Sequence, residues 1–202
     1  MIDLKKGTRI LFNGDSITDC GRDRSDFHGL SGYTALIAER LSPLGAEVFN
    51  RGVSGDRSSD LLARVKQDLT DTEPDVVSFL IGVNDTWRRY DSGMATTAKE
   101  FENNFRGILN ITKDFGASII ILEPFLLPVD PHKAVFREDL DFKIDVARSL
   151  AREYADAYVP LDGLFAEAIL KTDPVLFSQD GVHPTELGNL KIAEWWLQRF
   201  NF

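Results

Sequence analysis

Apolar residues along the 202-residue chain fall into two alternating patterns. Short, nearly unbroken apolar runs predict strands at Arg9 to Phe12, Glu47 to Asn50, Val76 to Ile81, Ser118 to Glu123 and Ala157 to Leu161. Between them, apolar positions recur three and four residues apart, which predicts helices near Tyr33 to Leu41, Ser59 to Leu69, Thr97 to Phe115 and Phe136 to Tyr154. Two further helices are predicted near Leu164 to Leu170 and Thr185 to Phe200. A run such as Val76-Val77-Ser78-Phe79-Leu80-Ile81 is apolar on both sides, as a parallel strand covered on both faces must be. Strand and helix in alternation imply a three-layer α/β/α architecture. No linker, repeat or block of like charge divides the chain, so residues 1–202 read as one domain.

The residues able to do chemistry cluster just after these strands. The run Ile10-Leu11-Phe12 breaks at Gly14-Asp15-Ser16, a turn that projects a hydroxyl from the end of a buried strand. Gly52 to Asp56 follow the second strand, and Asn84-Asp85 follow the third. Open α/β sheets bind ligands at the carboxyl ends of their strands. On its own, Ser16 would serve equally well as a helix cap. The far end of the chain changes that reading. Of the three histidines, His28, His132 and His183, only His183 has a carboxylate, Asp180, three residues before it and a proline, Pro184, after it. A serine needs a base to lose its proton at neutral pH, and the base needs a carboxylate to fix its tautomer. Thr185 can cap the last helix, which leaves Asp180 free to orient His183. The backbone N–H of Ser16, that of Gly55 and the side-chain amide of Asn84 could together hold an oxyanion. In isolation, Gly82-Val83-Asn84-Asp85 reads as a tight turn leaving the third strand. Taken together, the segments predict a serine hydrolase with Ser16, His183 and Asp180 as its catalytic residues.

Charge narrows the partners. A net charge of −9 argues against nucleic acid and against an anionic membrane surface, and favours a neutral small-molecule substrate. The single cysteine, Cys20, excludes an intramolecular disulfide and a multi-cysteine zinc site, and reads as a packing residue. The longest apolar run, Ile119 to Leu122, is far too short to span a membrane, and no signal-like segment precedes the first strand. A cytoplasmic protein is expected.

These residues resemble the four blocks of the SGNH hydrolases, also called the GDSL esterase family. Gly14-Asp15-Ser16-Ile17 is similar to the first block, with Ile17 at a position where leucine is usual. Asn50-Arg51-Gly52-Val53-Ser54-Gly55-Asp56 resembles the second, Gly82-Val83-Asn84-Asp85 the third and Asp180-Gly181-Val182-His183-Pro184 the last. The resemblance implies a flavodoxin-like five-stranded parallel sheet of order 2-1-3-4-5 and ester hydrolysis with no metal or other cofactor. The stretches Gly14 to Arg22 and Gly82 to Asp91 further resemble intracellular acetylxylan esterases of the family, implying acetyl groups on xylo-oligosaccharides as the substrate.

Asp15, Trp87, Arg88 and Tyr90 are the residues assigned to substrate contact, the last three on a polar and aromatic loop after Asn84. Trp87 could stack on a sugar ring or simply pack that loop against the body. The segment Glu123 to Val135, with prolines at 124, 128 and 131, is expected as a loop at the active edge. Its Phe125, Leu126 and Leu127 would wall an acyl pocket or cover the site. Helix Phe136 to Tyr154 is expected to bury Leu140, Ile144, Ala147 and Leu150 and to solvate its charges. Of Trp195 and Trp196, near Leu190, Ala193 and Leu197, one is expected in the core and the other at a homo-oligomer contact. The same machinery would also suit lysophospholipids, aryl esters or thioesters. A non-catalytic carbohydrate-binding protein is the reading from a different class.

Overall fold

Five parallel strands make the central sheet of the computed structural model, which describes residues 2–26 and 28–201. They are β1 (Arg9–Gly14), β2 (Glu47–Asn50), β3 (Val76–Leu80), β4 (Ser118–Leu122) and β5 (Ala157–Val159). Their spatial order is 2-1-3-4-5, the order the family resemblance implies. The helices are α1 (Ser16–Asp19), α2 (Gly32–Leu41), α3 (Ser58–Thr72), α4 (Val83–Asp91), α5 (Ala98–Phe115), α6 (Arg137–Tyr154), α7 (Leu161–Ala168) and α8 (Glu186–Leu197).

Register places Leu11 opposite Phe49 and Val77, and Val77 opposite Ile119. Alternate strand residues face opposite sides, so each run feeds two cores. Ile10, Phe12, Leu80, Ile120 and Leu122 meet Tyr33 and Ile37 of α2 and Ile192 and Trp196 of α8. Leu11, Phe49, Val77, Phe79 and Ile121 meet Leu61 and Val65 of α3 and Phe101, Phe105 and Ile108 of α5. The one polar residue within the β3 run is satisfied across the layers, because the Trp196 indole N–H donates to Ser78 Oγ at 3.0 Å. The two-sided apolar runs therefore lie in the middle layer of three.

Departures from expectation have tertiary causes. Val83–Asp91 is a helix, α4, where a loop was expected. So short a helix is marginal by itself, and neighbours hold it. Asp85 accepts from the Ser58 hydroxyl at 2.6 Å and the Ser58 N–H at 2.9 Å, and Thr86 Oγ1 donates to Asp139 at 2.8 Å. The same packing buries Asp139 and its ion-pair partner Lys143 on α6, both expected in solvent, while Leu140, Ile144, Ala147 and Leu150 are buried as expected. On α8, Trp196 is buried and Trp195 half-buried against Phe165, but Leu190 turns outward. The chain ends meet in a two-stranded parallel pairing of Ile2–Asp3 with Phe200–Asn201, which no periodicity announces. Among the described residues, no helix is long and apolar enough to cross a membrane.

Candidate active site

The carboxyl edge of the sheet gathers the segments singled out by the sequence. β1 runs through Gly14, where a Cβ would lie 2.1 Å from the Leu80 carbonyl oxygen and 2.8 Å from Thr18 Oγ1. Only glycine lets the strand turn this close to β3. Asp15, not Ser16, caps α1: its Oδ1 accepts the Ile17 N–H at 3.0 Å. The Ser16 hydroxyl is thus free of capping and lies 3.0 Å from His183 Nε2. On the other side of the ring, His183 Nδ1 lies 2.8 Å from Asp180 Oδ2. Asp180 Oδ1 accepts the N–H groups of Val182 and His183, at 2.9 and 2.8 Å, and the Ser178 hydroxyl at 3.1 Å. Thr185, accepting from Gly188 N–H at 3.2 Å, caps α8 and leaves Asp180 to the imidazole.

Burial alone would raise the Asp180 pKa, but hydrogen bonds from the His183 ring and from the backbone of His183 and Val182 hold it well below the usual carboxylate range. His183 is shifted upward, first by its bond to Asp180, with burial and Lys133 opposing. An alcohol, imidazole and carboxylate in unbroken contact can move a proton from oxygen to nitrogen as the oxygen attacks a carbonyl.

The residues expected to form a cradle for negative charge lie at the same edge of the sheet. The Ser16 N–H lies in the first turn of α1, where main-chain donors lack intrahelical acceptors. Gly55 has φ +91°, a backbone conformation that side-chain-bearing residues avoid. One N–H of the buried Asn84 amide is spent on the Asp56 carbonyl at 3.0 Å, leaving the second for a ligand. The cradle is braced from several sides. Ser54 N–H and hydroxyl donate to Asp19 at 3.0 and 2.7 Å, and Val53 N–H to the Gly14 carbonyl at 3.0 Å. Arg64 of α3 joins three of its parts, donating to Asn13 Oδ1 at 2.7 Å, the Gly14 carbonyl at 3.1 Å and Asp56 Oδ2 at 2.8 Å. Sequence reasoning passed over Arg64, because a charged residue on a polar helix face carries no mark of its targets.

Asp15 is buried, and its Oδ2 has no hydrogen-bond partner within the protein. Burial pushes its carboxyl up to about 7, against the Ile17 N–H and the charge of His183.

Trp87, Arg88 and Tyr90 lie on α4 instead of a loop. Arg88, ion-paired with Asp91, brings Nη2 to 3.9 Å from where a Gly55 Cβ would stand, so it borders the cradle. The Trp87 ring is flanked by the Lys133 ammonium at 4.5 Å, the Phe136 ring at 5.8 Å and the His183 ring at 6.0 Å. Tyr90 stacks on Phe136, and its hydroxyl donates to the Val135 carbonyl at 2.9 Å. Trp87 and Tyr90 therefore hold the segment after β4 against α4. That segment is not a simple loop, for it ends in a 3₁₀ helix, Pro131–Phe136, capped by Asp130. Phe125, Leu126 and Leu127 are buried; the last two line an apolar cavity of about 330 Å³ with Phe165 and Ile169. This cavity takes no wall from Ser16, Gly55, Asn84 or His183. By contrast, the depression beside the imidazole is lined by Gln179, Asp180, His183, Pro184 and Thr185. Among the described residues, no three His, Cys, Asp or Glu side chains gather to hold a metal ion.

The fold and its likeness to known proteins define a hydrolase. The chain belongs to the GDSL-like lipase/acylhydrolase family, whose description matches residues 12–191, and it is a carboxylic ester hydrolase. It is 32% identical to an acetylxylan esterase of Geobacillus stearothermophilus over 98% of this chain and 96% of that protein. An arylesterase of Vibrio mimicus is 27% identical over 82% of this chain and 76% of its own length. The crystal structure of an acetylxylan esterase from Geobacillus stearothermophilus superposes with a TM-score of 0.86 at 32% identity, covering 97% of this chain and 96% of the other. Forms of that esterase with alanine in place of a serine, a histidine or an aspartate are described as catalytic mutants.

Proposed function

We propose that this esterase removes short acyl groups, chiefly acetyl, from hydroxylated carbohydrates such as xylo-oligosaccharides, through an acyl-enzyme on Ser16. The observation that carries the reading is the unbroken contact from Ser16 Oγ to His183 Nε2 at 3.0 Å and from His183 Nδ1 to Asp180 at 2.8 Å. Ser16 attacks the ester carbonyl while His183 takes its proton, and the charge that develops on the carbonyl oxygen is met by Ser16 N–H, Gly55 N–H and Asn84 Nδ2. His183 then protonates the departing sugar oxygen. Water, deprotonated by the same imidazole, releases acetate and restores Ser16. Asp180 orients the ring and stabilises its charged form throughout.

Two features support a small acyl group on a polar alcohol. The apolar cavity lined by Leu126 and Leu127 takes no wall from Ser16, so it is not an acyl pocket formed around the serine. The depression next to His183 places Gln179 and Thr185 beside the base, polar side chains that suit a hydroxylated leaving group. The relative named as an acetylxylan esterase agrees with this choice.

Rates on acetylated xylo-oligosaccharides, p-nitrophenyl acetate and p-nitrophenyl octanoate test the reading. Acetyl esters should lead, and Ser16→Ala should lose at least about 10⁴-fold on all of them while its circular dichroism stays unchanged. Preference for octanoate would overturn the substrate, and undiminished turnover in Ser16→Ala would overturn the mechanism.

A further inference from the structure

Lys133 enters the site from the 3₁₀ helix Pro131–Phe136, and its side chain is only 13% exposed there. Nζ donates to the Asp180 main-chain carbonyl at 2.7 Å and stands 3.5 Å from Asp180 Oδ2. Asp130 Oδ2, 3.8 Å away, and the Trp87 ring, 4.5 Å away, complete the surroundings of the ammonium. None of these contacts reaches the reacting atoms. Asp180 Oδ1 is saturated by three donors of its own loop, so Oδ2 is the oxygen that meets both His183 and Lys133.

We propose that Lys133 is a positioning residue for the Ser16–His183–Asp180 chain, pinning the Asp180 loop to the segment after β4 and keeping the His183 imidazole available as a base. The inference rests on the esterase reading above.

The groups that face His183 show why a cation is needed. Asp180 from its own loop and Asp15 from the end of β1 both favour the charged ring, while Lys133, from the segment after β4, opposes them. A base must be neutral to accept a proton, so the Asp180 carboxylate without a countercharge would hold the ring in its unproductive form at moderate pH. Lysine suits the place. It is a compact point charge on an apolar stem, and here the ammonium rests on an aromatic face with little solvent to screen it.

Lys133→Gln keeps a hydrogen-bond donor and removes the charge; Lys133→Met removes both; Lys133→Arg restores the charge. The pH profile of kcat/KM on p-nitrophenyl acetate should show the acid limb moved to higher pH in the Gln variant, which keeps a donor for the Asp180 carbonyl, with the rate lowered roughly 10- to 100-fold; Met, which also frees the loop, should lose more rate. Arg should bring back most of the rate and the original limb. A lysine that merely packed the loop would give the opposite sign, since Asp180 would drift from His183 and the ring would lose its proton more easily. An acid limb that stays in place or moves to lower pH therefore overturns the proposal. The imidazole titration of His183, followed by NMR in a Ser16→Ala background with and without Lys133→Gln, reads the same effect without turnover. If wild-type protein cleaved no ester, the esterase reading would fall, while this titration would still decide the part played by Lys133.

Discussion

Ser16, the Gly52 to Asp56 loop and Asn84 are held by partners from α1, α3 and the ends of two strands, with Arg64 and Asp19 tying the pieces together. Asp180 and His183 instead take their hydrogen bonds from their own loop, from Ser16 and from Lys133, and they stand at the surface, their side chains 36% and 48% exposed. The difference follows the work proposed for each half. Donors that stabilise a developing oxyanion are effective only if they need not reorganise, so they belong on a braced frame. A base needs one bond to fix its tautomer and room to exchange protons. The carboxylates repeat the contrast. Asp15, buried with a single backbone donor, is pushed up to about 7, whereas Asp180, rich in donors, is held well below the usual range. Burial wins where donors are few, and donors win where they are many.

The base half is the place for the largest loss. Asp180→Asn keeps an oxygen for the loop but removes the acceptor that selects the His183 tautomer. It should lower kcat about 10⁴-fold on p-nitrophenyl acetate, with the urea unfolding midpoint close to wild type. A fall of less than tenfold would mean that the loop orients His183 without the carboxylate. In the braced half, Asn84→Ala should cost about 10²- to 10³-fold in kcat with KM little changed, because its free N–H serves the transition state more than the ground state. A rise in KM alone would assign the amide to substrate binding.

The smallest effect concerns stability. Asp15 has a folded-state pKa of about 7 against 3.8 for the free group, so the fold favours its protonated form. Its contribution is most favourable below pH ~4 and is lost progressively as pH rises through about 7. Asp15→Asn should flatten that dependence, narrowing the difference between urea midpoints measured at pH 5 and pH 8. An unchanged difference would show that Asp15 remains ionised in the fold.

How much of this was legible varies by residue. Val76 to Leu80 was readable because a strand buried on both faces must be apolar throughout, whatever its neighbours. Asp180 and His183 were readable because their partnership is local, three residues apart. Trp87 and Tyr90 stand on a helix although a loop is expected there: Val83, Trp87 and Tyr90 do recur at helical spacing, but the segment is short and mostly polar, and Ser58 and Asp139 from elsewhere hold it. Asp139 and Lys143 look solvated from their own helix alone, and packing against α4, where Thr86 donates to Asp139, buries them. Lys133 carries no local mark of its place beside Asp180.

Local chemistry in the chain determined the layer architecture, the strands and the candidates for nucleophile, base and oxyanion donors, because each depends on side-chain type and short spacing. Tertiary structure alone decided that Ser16 meets His183 across 167 residues, that Arg64 ties Gly14 to Asp56 and that Lys133 stands beside Asp180. Those contacts join segments remote in sequence, and their partners are set by how the layers pack, which no local pattern encodes.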